Sequence, residues 1–187
     1  MIKRLFDFVM AIIATIIFFL PMLGIAILIK LTSHGPIIFW SNRIGKANNI
    51  FAMPKFRTMN SNTPLLATHL LTGASEHLTP IGKFLRRSSL DELPQLWSVM
   101  IGDMSFVGPR PALYNQLDLI EMRTANGVDQ LLPGITGLAQ INGRDELPEE
   151  LKVSLDVEYL KRQSFWLDQQ ILILTIIKVF KREGISH

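Results

Sequence analysis

Between Phe8 and Ile29 the chain carries no charged side chain. As a straight helix this run would extend ~33 Å at 1.5 Å per residue, enough for a bilayer core of about 30 Å. Pro21 interrupts it. The proline ring removes a donor and crowds the carbonyl of Ile17, so a bend is expected there, and Gly24 adds freedom one turn later. Lys3 and Arg4 precede the run and Lys30 follows it. Basic residues on both flanks fit a re-entrant helix-break-helix that enters and leaves by one face, broken at Pro21. A kinked spanning helix fits the same residues. A cleaved signal peptide does not, because the run is too long for an h-region and no clear A-x-A site follows.

Beyond residue 30 the pattern changes. PIIFWSNRIG and NIFAMPKFRTM flank an Asn-rich turn and predict a β-hairpin. The segment 60–80, with the apolar patch LLATHLL, reads as loop plus a short helix. Helical spacing resumes at Ile81, and further helices are expected over 112–125 and 149–161. LLPGITGLAQINGRDELP is loop-rich, with Gly134, Gly137 and Gly143 as turn points. The final stretch, WLDQQILILTIIKVFKREG, is apolar around most of a helix but polar at its ends. An amphipathic helix at a membrane interface and a buried core helix both satisfy it. The expected architecture is mainly α with a small β-hairpin: a membrane helical hairpin over 1–30 forming one unit with a catalytic body over 31–187.

Composition narrows the function classes. The chain has 187 residues, is 48% hydrophobic and 19% charged, and carries a net charge of +3. A mildly basic, apolar-rich chain suits anionic lipid or phosphate substrates. It lacks the Lys/Arg run or aromatic-interleaved stripe that would suggest nucleic acid. There are no cysteines, and His34, His69, His77 and His187 are scattered, so neither disulfides nor a zinc site is indicated.

The candidate chemistry centres on Asp91 and Glu92. Ser89-Leu90-Asp91-Glu92 matches S-x-x-E, so a capping box with Ser89 as N-cap explains the pair without catalysis. A helix start also offers free N–H groups to a phosphate and keeps a nucleophilic carboxylate ionised. Arg86, Arg87 and Arg110 are available to screen its charge, and Mg²⁺ takes few carboxylates together with substrate phosphates. In Gly-Pro-Arg-Pro, two prolines stiffen the turn that presents Arg110, which lowers the entropy cost of meeting an anion. Lys55 and Arg57 share a strand face, which in isolation reads first as a charge-protected edge and second as an anion site. Gln140, Asn142 and Arg144 follow a glycine-rich loop and suit sugar hydroxyls or a pyrophosphate.

Taken together, these motifs resemble those of the bacterial sugar transferases, in particular the small monotopic polyprenyl-phosphate phosphoglycosyl transferases. The matching pieces are KRLFDF, KFRTM, IGKFLRRSSLDELPQLWSVMIGDMSFVGPRP, PGITGLAQINGR and LDVEYL, in the family's order and over nearly the whole chain. The resemblance implies transfer of a sugar-1-phosphate from a UDP-sugar to undecaprenyl phosphate, with release of UMP. It implies a covalent intermediate on Asp91, with Glu92 as its partner and Mg²⁺ as cofactor. It implies phosphate or donor contacts at Lys55, Arg57, Arg86, Arg87 and Arg110, and donor contacts around Gln140, Asn142 and Arg144. Asp156, together with Asp91, is a candidate metal contact. The N-terminal hairpin would dip into the cytoplasmic leaflet of the bacterial inner membrane, with amphipathic helices at the interface and Lys3, Arg4 and Lys30 near anionic headgroups. A one-step transfer without the covalent intermediate and a non-catalytic membrane scaffold are the alternatives, and a homodimer is left open. Leu20 stands where many relatives place a Ser before the proline, and the segment 60–79 matches poorly, which leaves the sugar unassigned.

Overall fold

The computed structural model describes residues 2–60, 63, 77–143 and 147–181. It is mostly helical, with a small amount of sheet and one long apolar helix at the N-terminus. That helix, α1 (Ile2–Thr32), is continuous through Pro21, where the sequence predicted a break. It is long and apolar enough to cross a membrane. Most of its surface is bare: Ile16, Ile17, Phe19 and Leu20 are each at least 60% exposed. Among the described residues it meets the body through Asp7 and Ala11 on one side and from Met22 to Ile29 on the other.

The predicted hairpin is present. β1 (Ile38–Ile44) pairs antiparallel with β2 (Ile50–Phe56), and Phe39 faces Lys55 across it. Pro54 is tolerated in β2, which has β1 as its one neighbouring strand. Helix α2 (Gly82–Ser88) follows, then a 3-10 turn over Leu90–Gln95 that leads directly into α3 (Leu96–Ile101). β3 (Ser105–Val107) pairs in parallel with β4 (Gly134–Thr136), a contact the loop-rich sequence did not announce. Between them lies α4 (Leu117–Ala125), shorter than expected because residues 112–116 form the approach to it. The chain continues as α5 (Leu138–Asn142), α6 (Glu149–Arg162) and α7 (Phe165–Lys181). The short helix expected from LLATHLL falls outside the described residues.

Two apolar groups tie α1 to this body. Ala11 packs with Met53, Val99 and Met104, and Ile25 and Ile29 pack with Phe56 and Leu85. A separate group, with Val107, Tyr159 and Ile171 at its centre, joins β3, α6 and α7. The last helix is therefore part core and part open face: Ile171 is buried while Ile173 and Ile176 are exposed.

Polar contacts reinforce the base of α1. The Arg4 guanidinium donates to the carbonyls of Val99 and Met100 at the end of α3. Asp7 is buried and accepts from the Ser105 hydroxyl at 2.8 Å. Lys3 donates to Asp168 of α7 at 2.6 Å, and the Tyr159 hydroxyl donates to the other oxygen of the same carboxylate at 2.7 Å. Lys3 and Arg4 were expected among lipid headgroups. Here they are engaged by the protein, because buried carbonyls and a carboxylate 6% exposed need cationic donors more than the surface does.

Candidate active site

Asp91 and Glu92 lie in the first turn of the 3-10 segment, but not as a capping box. Ser89 adopts a left-handed conformation, φ 56° and ψ 16°, and its side chain makes no cap hydrogen bond. A Ser/Thr cap needs an extended N-cap backbone to turn its oxygen back onto the helix, so this geometry excludes it. Ser89 instead closes α2, its N–H returning to the carbonyl of Arg86 at 3.1 Å. A left-handed non-glycine residue costs roughly 1–2 kcal/mol, and here that strain sits two residues before Asp91.

β2 packs broadside against the 3-10 turn and carries Lys55 to the acidic pair. Lys55 Nζ donates to Glu92 Oε1 at 2.7 Å, and Arg110 Nη1 stands 3.6 Å from the same oxygen. Arg86, at the end of α2, donates through Nε to the Thr58 hydroxyl at 3.0 Å and acts electrostatically on Asp91. Burial pushes the Asp91 carboxyl up to about 6 against the pull of Lys55, and the neighbouring Glu92 charge adds to the rise while Arg86 and Arg110 oppose it. The group is thus a buried carboxylate ringed by three cations, ionised above about pH 6.

The Gly-Pro-Arg-Pro turn is held in place from behind. Gly108, Gly134 and Gly137 meet backbone to backbone, and a Cβ at Gly108 would drive into the Leu132 carbonyl. This close approach is what the glycines of both loops supply. The Arg123 guanidinium donates through Nη1 to the Arg110 carbonyl at 2.8 Å. Its Nε and Nη2 both donate to Asp156 Oδ2, at 3.0 and 2.7 Å.

The remaining predicted residues fall elsewhere. Arg57 lies one residue past the end of β2 and does not join Lys55 at Glu92. Its guanidinium is buried and donates to the carbonyls of Ser33 and His34, closing the C-terminal end of α1. Arg87 is exposed on α2 and is not among the charges that act on Asp91. Asp156 is buried beneath Arg123 rather than beside Asp91, and burial raises its pKa while Arg123 opposes the rise. Gln140 is buried in α5, and its amide has no hydrogen-bond partner among the described residues. Asn142 is exposed and donates back to the Leu138 carbonyl at 2.8 Å. Arg144 lies outside the described residues. Among the described residues no three His, Asp or Glu side chains converge to form a ready metal cage. Asp91 and Glu92 are two adjacent carboxylates, fewer than a cage, and Lys55 already engages one oxygen of Glu92.

The geometry places an ionisable carboxylate, three cations and a rigid arginine turn beside an apolar helix, and comparison with known proteins fits it. The bacterial sugar transferase family model matches residues 1–182. The chain belongs to the bacterial sugar transferase family. It is 40% identical over 185 residues to an uncharacterized sugar transferase, EpsL, of Bacillus subtilis, covering 99% of this chain and 90% of that one. It is likewise 40% identical over 185 residues to the UDP-glucose:undecaprenyl-phosphate glucose-1-phosphate transferase of Xanthomonas campestris, covering 95% of this chain and 38% of the relative. A transferase of the same name from Escherichia coli is 38% identical over 189 residues, 96% of this chain and 40% of the relative. The chain therefore spans most of the Bacillus protein but well under half of the two longer ones.

Proposed function

We propose that this protein is a polyprenyl-phosphate sugar-1-phosphate transferase that takes a UDP-sugar as donor and undecaprenyl phosphate as acceptor, in the first membrane step of a bacterial glycoconjugate. The observation that carries the reading is the convergence of Lys55, Arg86 and Arg110 on Asp91 and Glu92. A lone structural acid needs one partner, whereas a carboxylate that must approach a diphosphate needs its own charge and the substrate's offset together. The two longer relatives act on UDP-glucose and undecaprenyl phosphate, which supports the substrate classes.

In this reading an Asp91 oxygen attacks the phosphorus that bears the sugar. The Asp91 O–P bond forms, the P–O bond to the nucleotide breaks, and UMP leaves with that oxygen. An oxygen of the lipid phosphate then attacks the same phosphorus and displaces Asp91, giving the lipid diphosphate sugar and restoring the carboxylate. Arg110 and Lys55 hold phosphoryl oxygens, Arg86 holds Asp91 in its ionised form, and Glu92 keeps the two cations in place. Mg²⁺ held by Asp91 and Glu92 would neutralise charge building on the departing phosphate.

The acceptor is confined to the membrane, and α1 supports a monotopic placement. Both of its ends are packed against the body while its middle, around Ile16 to Pro21, is bare. A helix whose two ends are both held by one body does not carry its ends to opposite sides of the lipid, which supports placement at one face, here the cytoplasmic face of the inner membrane. The exposed Phe84, Trp97 and Trp166 then suit the headgroup layer.

The test is UMP release from a panel of UDP-sugars with undecaprenyl phosphate and Mg²⁺, comparing wild type with Asp91→Asn. Release abolished in the variant, and a phosphosugar mass on Asp91 when acceptor is withheld, is the expected result. Release without a trapped adduct would favour a one-step transfer. Failure to release UMP from any donor would favour a scaffold.

A further inference from the structure

Pro109 and Pro111 have no N–H, so the turn that presents Arg110 is anchored chiefly through carbonyl oxygens. Each of these is occupied. Pro109 accepts from Gly134 N at 2.8 Å, Arg110 from Arg123 Nη1 at 2.8 Å, Pro111 from Arg43 Nη1 at 3.1 Å, and Ala112 from Ile44 N at 3.0 Å. Two of the four donors are backbone, fixed by the fold. Arg43 has a short tie to the Ser41 hydroxyl at 3.0 Å. Arg123 is different, because both of its other donating nitrogens are committed to one oxygen of Asp156, whose side chain is 2% exposed. A buried carboxylate that takes two donors from a planar guanidinium fixes its plane, and with it the direction of the third donor.

We infer that Arg123, locked by Asp156, is the positioning residue for Arg110: it sets the carbonyl of the arginine whose side chain reaches Glu92 and the substrate phosphate. Asp156 thereby acts on the reaction through two arginines and not through a metal. The inference rests on the reaction proposed above and adds residues to it. A guanidinium displaced by about 1 Å loses on the order of 100-fold in rate, so a large effect is expected from a residue that touches no substrate.

The test is a double-mutant cycle on UMP release, between Arg110→Lys and the pair Arg123→Gln with Asp156→Asn, which leaves no buried charge unpaired. With Arg110 intact, the pair should lower kcat/KM by about 10- to 100-fold. In the Arg110→Lys background the same pair should cost about threefold or less, because the group it positions is already gone. Arg123→Lys serves if the pair folds poorly, since it keeps a cation on Asp156 but lacks the fork to reach the Arg110 carbonyl as well. Thermal unfolding on each variant separates loss of folding from loss of rate. A full loss in both backgrounds, or an unchanged kcat/KM with Arg110 intact, overturns the positioning role while leaving the reaction standing. An Arg110→Lys variant as active as wild type would overturn the reading of the site itself.

Discussion

The ammonium of Lys55 rests on Glu92 at 2.7 Å and also acts on the neighbouring Asp91. Lys55 is the leading charge holding the Asp91 carboxyl down against burial. In Lys55→Met that restraint goes, so the carboxyl should rise above about 6. The acidic limb of the pH–rate profile should move upward by the same amount, with kcat/KM at pH 7 falling on the order of 10- to 100-fold. Rates of UMP release between pH 5 and 9 measure it, and an unmoved limb would detach Lys55 from Asp91.

Asp91 also carries a stability signature. Its folded pKa of about 6 lies above its ordinary 3.8, so the folded state holds the proton more tightly than the unfolded chain. Stability is therefore fully present below pH 3.8 and declines as pH rises through about 6. Asp91→Asn removes that cost. It should abolish activity yet be the more stable protein at pH 7.5, by roughly 2–3 kcal/mol at most. The gain should shrink as pH falls through 6 and vanish near 4. Thermal unfolding of both proteins across that range in one detergent decides it.

The glycine contact behind Arg110 gives a third expectation. Gly108→Ala places a methyl against the Leu132 carbonyl and the Gly134 nitrogen, neither of which is the end of a flexible side chain. The backbone must move, at a cost of about 3 kcal/mol. Because the same segment carries Arg110, UMP release should fall more steeply than stability does. Gly24→Ala is the control, since an added Cβ there meets nothing within 4 Å.

The two ends of α1 make a topological prediction. With both held by one body, tags on the N-terminus and on the 3-10 loop at Lys46–Asn48 should be reached together by a membrane-impermeant reagent from the cytoplasmic side, and neither from outside. An N-terminal tag labelled from outside would mean that α1 spans the bilayer.

The hairpin of β1 and β2 and the long first helix were legible in the sequence because apolar alternation and an unbroken apolar run are local signals. Lys55, Asp91, Glu92, Arg86 and Arg110 were legible as residue types, and the fold gathers them. Ser89 was misread because S-x-x-E reports a capping box only when its first residue is extended, and here that residue is left-handed. Arg57 was misread because the carbonyls that claim it, those of Ser33 and His34, lie 24 and 23 positions back in the chain and leave no local signal. Nothing in the sequence pairs Arg123 with Asp156, or Lys3 with Asp168 across 165 positions. Such pairs carry no periodicity, and only packing brings them together. The parallel contact of β3 with β4 is invisible for a related reason: strands of three residues are specified by glycine backbones in close approach, not by a hydrophobic pattern.

Ala11 buried among Met53, Val99 and Met104, with Ile25 and Ile29 buried against Phe56 and Leu85, has a practical consequence. Cutting the chain after Lys30 would not release a soluble enzyme. It would strip the apolar lids from both sides of the strand that delivers Lys55, and would remove the Arg4 clamp from the helix that follows Asp91. Substitutions inside α1 should accordingly turn up in genetic screens as catalytic defects, and truncation of that helix should yield aggregates.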